Sequence, residues 1–119
     1  MSAEPKVYHA IRTVKVAIAP NARDQYMDQV KMFAQAFGFT MQFSQTSPYP
    51  DDIVAAMERG DISITGVMAS RFEGPDLAYE IFLYSKRNPP APAASFDPLV
   101  EGLKLYLSKI DGAVVTETK

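Results

Sequence analysis

The chain has 119 residues, of which 47% are hydrophobic and 22% charged, and it carries a formal net charge of −2; these values suit one globular domain with one core. Its Lys and Arg residues are scattered, with only Lys86-Arg87 adjacent, which weighs against a nucleic-acid partner because phosphate binding needs a basic stripe. The absence of cysteine removes thiol catalysis, disulfides and thiolate metal sites, and no apolar run approaches the length of a membrane span or a signal-peptide core, so the expectation is a soluble cytoplasmic protein.

Residues 1–5 read as a tail. Val7–Arg12 leads into a strand at Val14–Ala19, which Pro20-Asn21 ends. Asn21 suits an N-cap, with Asp24 three residues on to complement the helix dipole. The helix runs to Phe37, because Tyr26, Val30, Phe33 and Phe37 recur on one helical face. Gly38 stops it, and a second strand, Phe39–Ser44, begins at once.

Pro48 and Pro50 mark a loop. Asp51-Asp52 then open a short helix to Arg59, with Ile53, Ala56 and Met57 facing inward and Gly60 as its stop. A third strand follows at Asp61–Met68. Gly66 in its middle signals a bulge or a close backbone approach. After a loop at Ala69–Asp76, Leu77–Tyr84 forms a fourth strand. Residues 85–95 form a proline-rich, extended connector. Asp97-Pro98 starts a last helix, whose apolar residues Leu99, Leu103, Tyr106 and Ile110 keep the helical spacing. Ala113–Thr116 can add a short edge strand.

The pattern predicts a single α+β domain over residues 1–119, built as a two-layer α/β sandwich in the order β-α-β-α-β-β-α. Three helices would lie on one face of a mixed sheet of four or five strands. Without the middle helix the order becomes ferredoxin-like, β-α-β-β-α-β. The core would comprise Val16, Ile18, Tyr26, Val30, Phe33, Phe37, Phe39, Met41, Phe43, Ile62, Ile64, Tyr79, Ile81, Leu83, Leu99, Leu103, Leu107 and Ile110. The strands alternate apolar with small or polar residues, among them Lys15, Ala17, Thr40, Gln42, Ser44, Ser63, Thr65 and Glu80. Strands buried on both faces would read as unbroken hydrophobic runs, so one sheet face stays open.

Catalytic chemistry has little to build on. His9 is the only histidine, and it reads as an edge-strand residue rather than a proton shuttle. Asp51-Asp52 is the only clustered carboxylate pair and reads as a cap, so no metal or other cofactor is implied. No serine sits in an elbow-type glycine frame. Asn21 and Arg23 at a helix start could hold an anion, but a simple cap explains them better. Arg71, Glu73 and Asp76 share a loop that could carry binding residues or be a solvated turn.

The fourth strand is more informative. If Tyr79, Ile81 and Leu83 face the core, then Ala78, Glu80, Phe82 and Tyr84 face the open side beside Val67, and two aromatics on a polar surface mark a contact site. The leading expectation is therefore a non-catalytic interaction module that binds a protein partner or a second copy of itself through this face, with a homodimer favoured over a monomer. The runner-up is a cofactor-free enzyme or a small-molecule binder. In that reading Arg71 would grip a carboxylate, and Tyr84 or His9 would handle a proton.

Overall fold

The computed structural model describes residues 9–45, 47–50, 52–70 and 76–118. The predicted tail at residues 1–5, Asp51, Arg71 and Glu73 lie outside the described residues. The elements in chain order are β1 (Arg12–Ile18), α1 (Arg23–Ala36), β2 (Thr40–Gln45), β3 (Ile53–Arg59), β4 (Ile62–Ser70), β5 (Leu77–Ser85), α2 (Asp97–Leu107) and β6 (Val114–Thr118). Short 3₁₀ turns, Pro20–Ala22 and Ala93–Phe96, lead into the two helices. The fold is thus α+β, with six strands in the order β2-β3-β4-β5-β1-β6 and every neighbouring pair antiparallel. The expectations of a mixed sheet, four or five strands and three helices are corrected accordingly.

The largest correction concerns residues 53–59. They form β3, not a helix, and Ile53, Ala55 and Met57 are buried while Val54 and Ala56 are only half-buried. A period of two governs the segment, where the helical reading groups Ile53 with Ala56 and Met57. Its partners decide the matter: Met57 registers against Met41 of β2 and against Ile64 of β4. Gly60 ends no helix. Arg59 pairs with Ile62, so Gly60-Asp61 is a two-residue hairpin turn, and Gly60 has the positive φ of 57° that such a turn requires at its first position.

Period-two alternation buries Val14, Val16 and Ile18 of β1 and Tyr79, Ile81 and Leu83 of β5. These residues form one cluster with Tyr26, Val30 and Phe33 of α1 and Leu99, Val100, Leu103 and Leu107 of α2. Phe33 links the two helices, with its ring 4.7 Å from that of Phe37 and edge-on to Tyr106 at 6.3 Å. Phe96 of the second 3₁₀ turn is also buried, so the proline-rich connector delivers a core residue. The buried hydroxyl of Ser85 accepts the N–H of Ala91 at 3.0 Å and tethers that connector to the end of β5.

Phe37, Met41, Phe43 and Ile62 are half-buried rather than core. Met41 and Phe43 belong to β2, which forms one edge of the sheet, where the cover from α1 runs out. Asn21 is not the helix cap; it lies within the first 3₁₀ turn, and α1 starts after Ala22 with no side-chain cap.

Gly66 is a close-approach position. A Cβ built on it would sit 2.9 Å from the Tyr26 hydroxyl, 3.4 Å from Ile81 and 3.7 Å from Ala55. Tyr26 is fully buried and stacks on Tyr79 with ring centroids 4.1 Å apart. The missing side chain of Gly66 makes room for that phenol. Ladder irregularity in β4 falls later, between Met68 and Ser70.

Candidate functional site

The sheet residues that alternate with the core set form the second face, which is open among the described residues. Register places them in rows running across the strands. Phe82 of β5 lies between Thr13 of β1 and Thr65 of β4, and Thr65 is followed by Ala56 of β3 and Gln42 of β2. In the next row toward the end of β5, Tyr84 opposes Ser63, which opposes Glu58, which opposes Thr40. On the other side, Glu80 has Lys15 on one flank and Val67 on the other.

The face is mixed: the central strands carry Val67, Phe82 and Tyr84 beside Ser63, Thr65 and Glu80, and Val114 of the edge strand β6 is exposed. Val54, Ala56, Val67, Phe82 and Tyr84 are all half-buried, and no helix or strand among the described residues lies over them, whereas Ala78, expected on the open side, is buried. The Phe82 and Tyr84 rings are 6.4 Å apart and tilted by 41°. Both are held on a β-strand flanked by paired strands on each side, which fixes them without a supporting loop. Lys86 reaches across the end of the face to Glu58, with Nζ 2.6 Å from Oε1.

Three of the five residues singled out from the sequence therefore come together. Glu80, Phe82 and Tyr84 share one face of β5. His9 is exposed, lies before β1 and belongs to no regular element. Arg71 lies outside the described residues. Two shallow concavities open on this face. One is lined by Thr40, Gln42, Ala56, Glu58 and Ser63, and the other by Ser63, Thr65, Tyr84 and Lys86. Tyr84 lines the second, and neither includes His9.

The sequence reading misses the β3 contribution of Val54, Ala56 and Glu58, because it assigns those residues to a helix. The signal is present in the alternation of residues 53–57 followed by Gly60-Asp61. It also misses a cluster of charged side chains around Arg12. The Arg12 guanidinium donates through Nε and Nη2 to both carboxylate oxygens of Glu117, and through Nη1 to Asp97 at 2.6 Å and to the Ala93 carbonyl at 2.9 Å. Lys104 Nζ lies 3.6 Å from Glu117. Hydrogen bonds donated to Glu117 and Asp97 raise the Arg12 pKa, and the bond from Arg12 lowers that of Glu117. Every nitrogen of the Arg12 fork already has an acceptor, so this cluster straps β1, β6 and α2 together and leaves no open site for an anion.

Arg23 is similarly engaged, with the Pro50 carbonyl at 3.2 Å and Asp24 at 3.1 Å. Among the described residues, no group of three or more His, Asp or Glu side chains is placed to hold a metal ion. Among them, too, no helix is long and apolar enough to cross a membrane. Comparison with protein-family models, curated proteins and solved structures finds no match for this chain.

Proposed function

We propose that the protein is a cytoplasmic, non-catalytic interaction module whose open sheet face pairs two copies of the chain into a homodimeric unit. The observation that carries this reading is the pair Phe82 and Tyr84, half-buried with Val54, Ala56 and Val67 on a face that no helix or strand among the described residues covers. Aromatic anchors of this kind are enriched at interfaces and depleted from plain solvent surface.

Size supports a second copy as the occupant. Six strands at about 4.8 Å spacing and seven residues at about 3.3 Å rise give a projected face on the order of 600 Å². The corrugated accessible area exceeds the projection, which brings it near the roughly 800 Å² per partner that a stable pair buries. Charge supports it as well. Lys15 and Lys86 are balanced on the face by Glu80 and Glu58, so two copies meet without net repulsion, and a two-fold arrangement can set Lys15 against the partner's Glu80.

This reading carries the two-layer sandwich with it. The order β6-β1-β5-β4 together with α1 and α2 has the circuit of a ferredoxin-like unit, extended at β4 by the β2–β3 hairpin. Such a unit leaves one sheet face bare, and pairing two bare faces completes it. The test is Phe82→Glu, followed by sedimentation velocity. The mass of the assembly should halve relative to the unsubstituted protein, with the circular dichroism spectrum unchanged. An unaltered mass refutes the reading.

A further inference from the structure

We infer that the free edge of β2 is a second self-association site, at which two copies pair antiparallel about a two-fold axis and join their sheets into one continuous sheet. This contact uses residues separate from the open face and goes beyond that reading.

The first observation is the edge itself. β2 ends the sheet, so its outer row of backbone N–H and C=O groups has no partner strand among the described residues. Protein edges are normally guarded against such pairing by Lys, Glu, Pro or a covering segment. Residues 39–45, Phe-Thr-Met-Gln-Phe-Ser-Gln, contain no charge and no proline. The opposite edge, β6, differs because Glu117 is locked into the Arg12 strap. What an open backbone edge recognises is another extended strand.

The second observation is a groove on the helix side of this edge, where Met27, Asp28 and Lys31 of α1 stand beside Met41, Gln42 and Phe43 of β2. Met41 and Phe43 are half-buried, so the core's apolar layer continues to the edge and stops uncovered. An added strand would extend the sheet beneath that layer and complete it.

The third observation identifies the occupant as a copy of the chain. In an antiparallel pair, opposed residues share a face. With the axis at Gln42, Met41 faces the partner's Phe43 on the helix side, and Thr40 faces the partner's Ser44 on the open side. This register keeps both helix layers on the same side of the joined sheet. The axis also runs α1 antiparallel to its mate beside the groove. Asp28 of each copy then faces Lys31 of the other, which makes two opposite-charge contacts from one exposed pair.

The charge pair supplies the test. Asp28→Lys alone gathers like positive charges around the axis, and Lys31→Asp alone gathers like negative ones. Both positions are exposed on α1, so the fold and the open face are left intact. Sedimentation velocity is run on each variant alone, on their equimolar mixture and on the unsubstituted protein. Each variant alone should associate about tenfold more weakly across this contact, and the mixture should recover. Equal association of all samples, or a mixture no better than its components, overturns the inference. The same measurement in the Phe82→Glu background separates the two contacts. A dimer there that the charge variants dissociate supports the edge, and a monomer there overturns it. If the charge variants lower the mass and Phe82→Glu does not, the edge stands and the open-face reading falls.

Discussion

Replacing Gly66 by alanine should change the sign of its effect according to whether Tyr26 keeps its hydroxyl. The new Cβ would lie 2.9 Å from that oxygen, inside the contact limit, and Tyr26 cannot yield because it is fully buried and stacked on Tyr79. Overpacking costs about 1–3 kcal/mol, offset by about 0.5–1 kcal/mol from removing a strand glycine, so Gly66→Ala alone should destabilise by about 1–2 kcal/mol. The Tyr26 hydroxyl also has no hydrogen-bond partner among the described residues, and burial pushes its pKa up. Such a group carries a desolvation cost of about 1–3 kcal/mol, against a cavity term of a few tenths when the oxygen is removed. Tyr26→Phe should therefore stabilise by about 1 kcal/mol. In that background the next contact of the added methyl group is Ile81 at 3.4 Å, ordinary van der Waals distance. Gly66→Ala should then stabilise by about 0.5–1 kcal/mol, giving a coupling of about 2 kcal/mol, or roughly 6–10 °C in Tm. Urea and thermal unfolding of the four proteins measure it, at one fixed protein concentration because self-association shifts apparent stability. Equal effects of Gly66→Ala in the two backgrounds would refute the packing argument.

The β3 assignment predicts that Ala55→Gln costs several times more stability than Ala56→Gln, since Ala55 is buried and Ala56 half-buried; equal costs in urea unfolding would contradict it. Phe96→Ala should destabilise by about 3–5 kcal/mol although Phe96 lies outside the long helices and strands, because its ring is 1% exposed. Arg12→Met should cost about 1–2 kcal/mol by breaking the strap to Glu117 and Asp97. The strap also sets a pH dependence. Glu117 has a folded pKa below its ordinary 4.5, so its contribution is complete above that value and is lost as pH falls through the folded pKa. Glu117→Gln should lower stability at neutral pH and flatten the acid limb of the stability profile; an unchanged limb would contradict the assignment.

The sequence carries the fold wherever burial alone sets the pattern. β1, β4 and β5 alternate cleanly, and α1 and α2 each keep one apolar face, so their types are readable without the structure. Residues 53–59 are not, because Ile53, Ala56 and Met57 satisfy a helical spacing as well as Ile53, Ala55 and Met57 satisfy a strand. Pairing to β2 and β4 resolves that ambiguity, and pairing is a tertiary fact. Strand order is hidden for the same reason: α1 carries the chain from β1 to the far edge, which no local pattern records. Of the candidate site, Glu80, Phe82 and Tyr84 are readable because their outward row follows from the buried Tyr79, Ile81 and Leu83. Val54 and Ala56 are lost with the β3 assignment. The Arg12–Glu117 strap joins residues 105 apart in sequence, and nothing in the sequence near either end announces it.

The most direct measurement of the open-face account is an isotope-filtered NOE experiment on a sample mixed from labelled and unlabelled copies of the chain. Only protons on different copies give peaks in such a spectrum. The account predicts cross-peaks from the Phe82 and Tyr84 rings of one copy to the Val54 and Val67 methyls of another, lost on Phe82→Glu. An associated sample with no intermolecular peak from any of these four residues would contradict it.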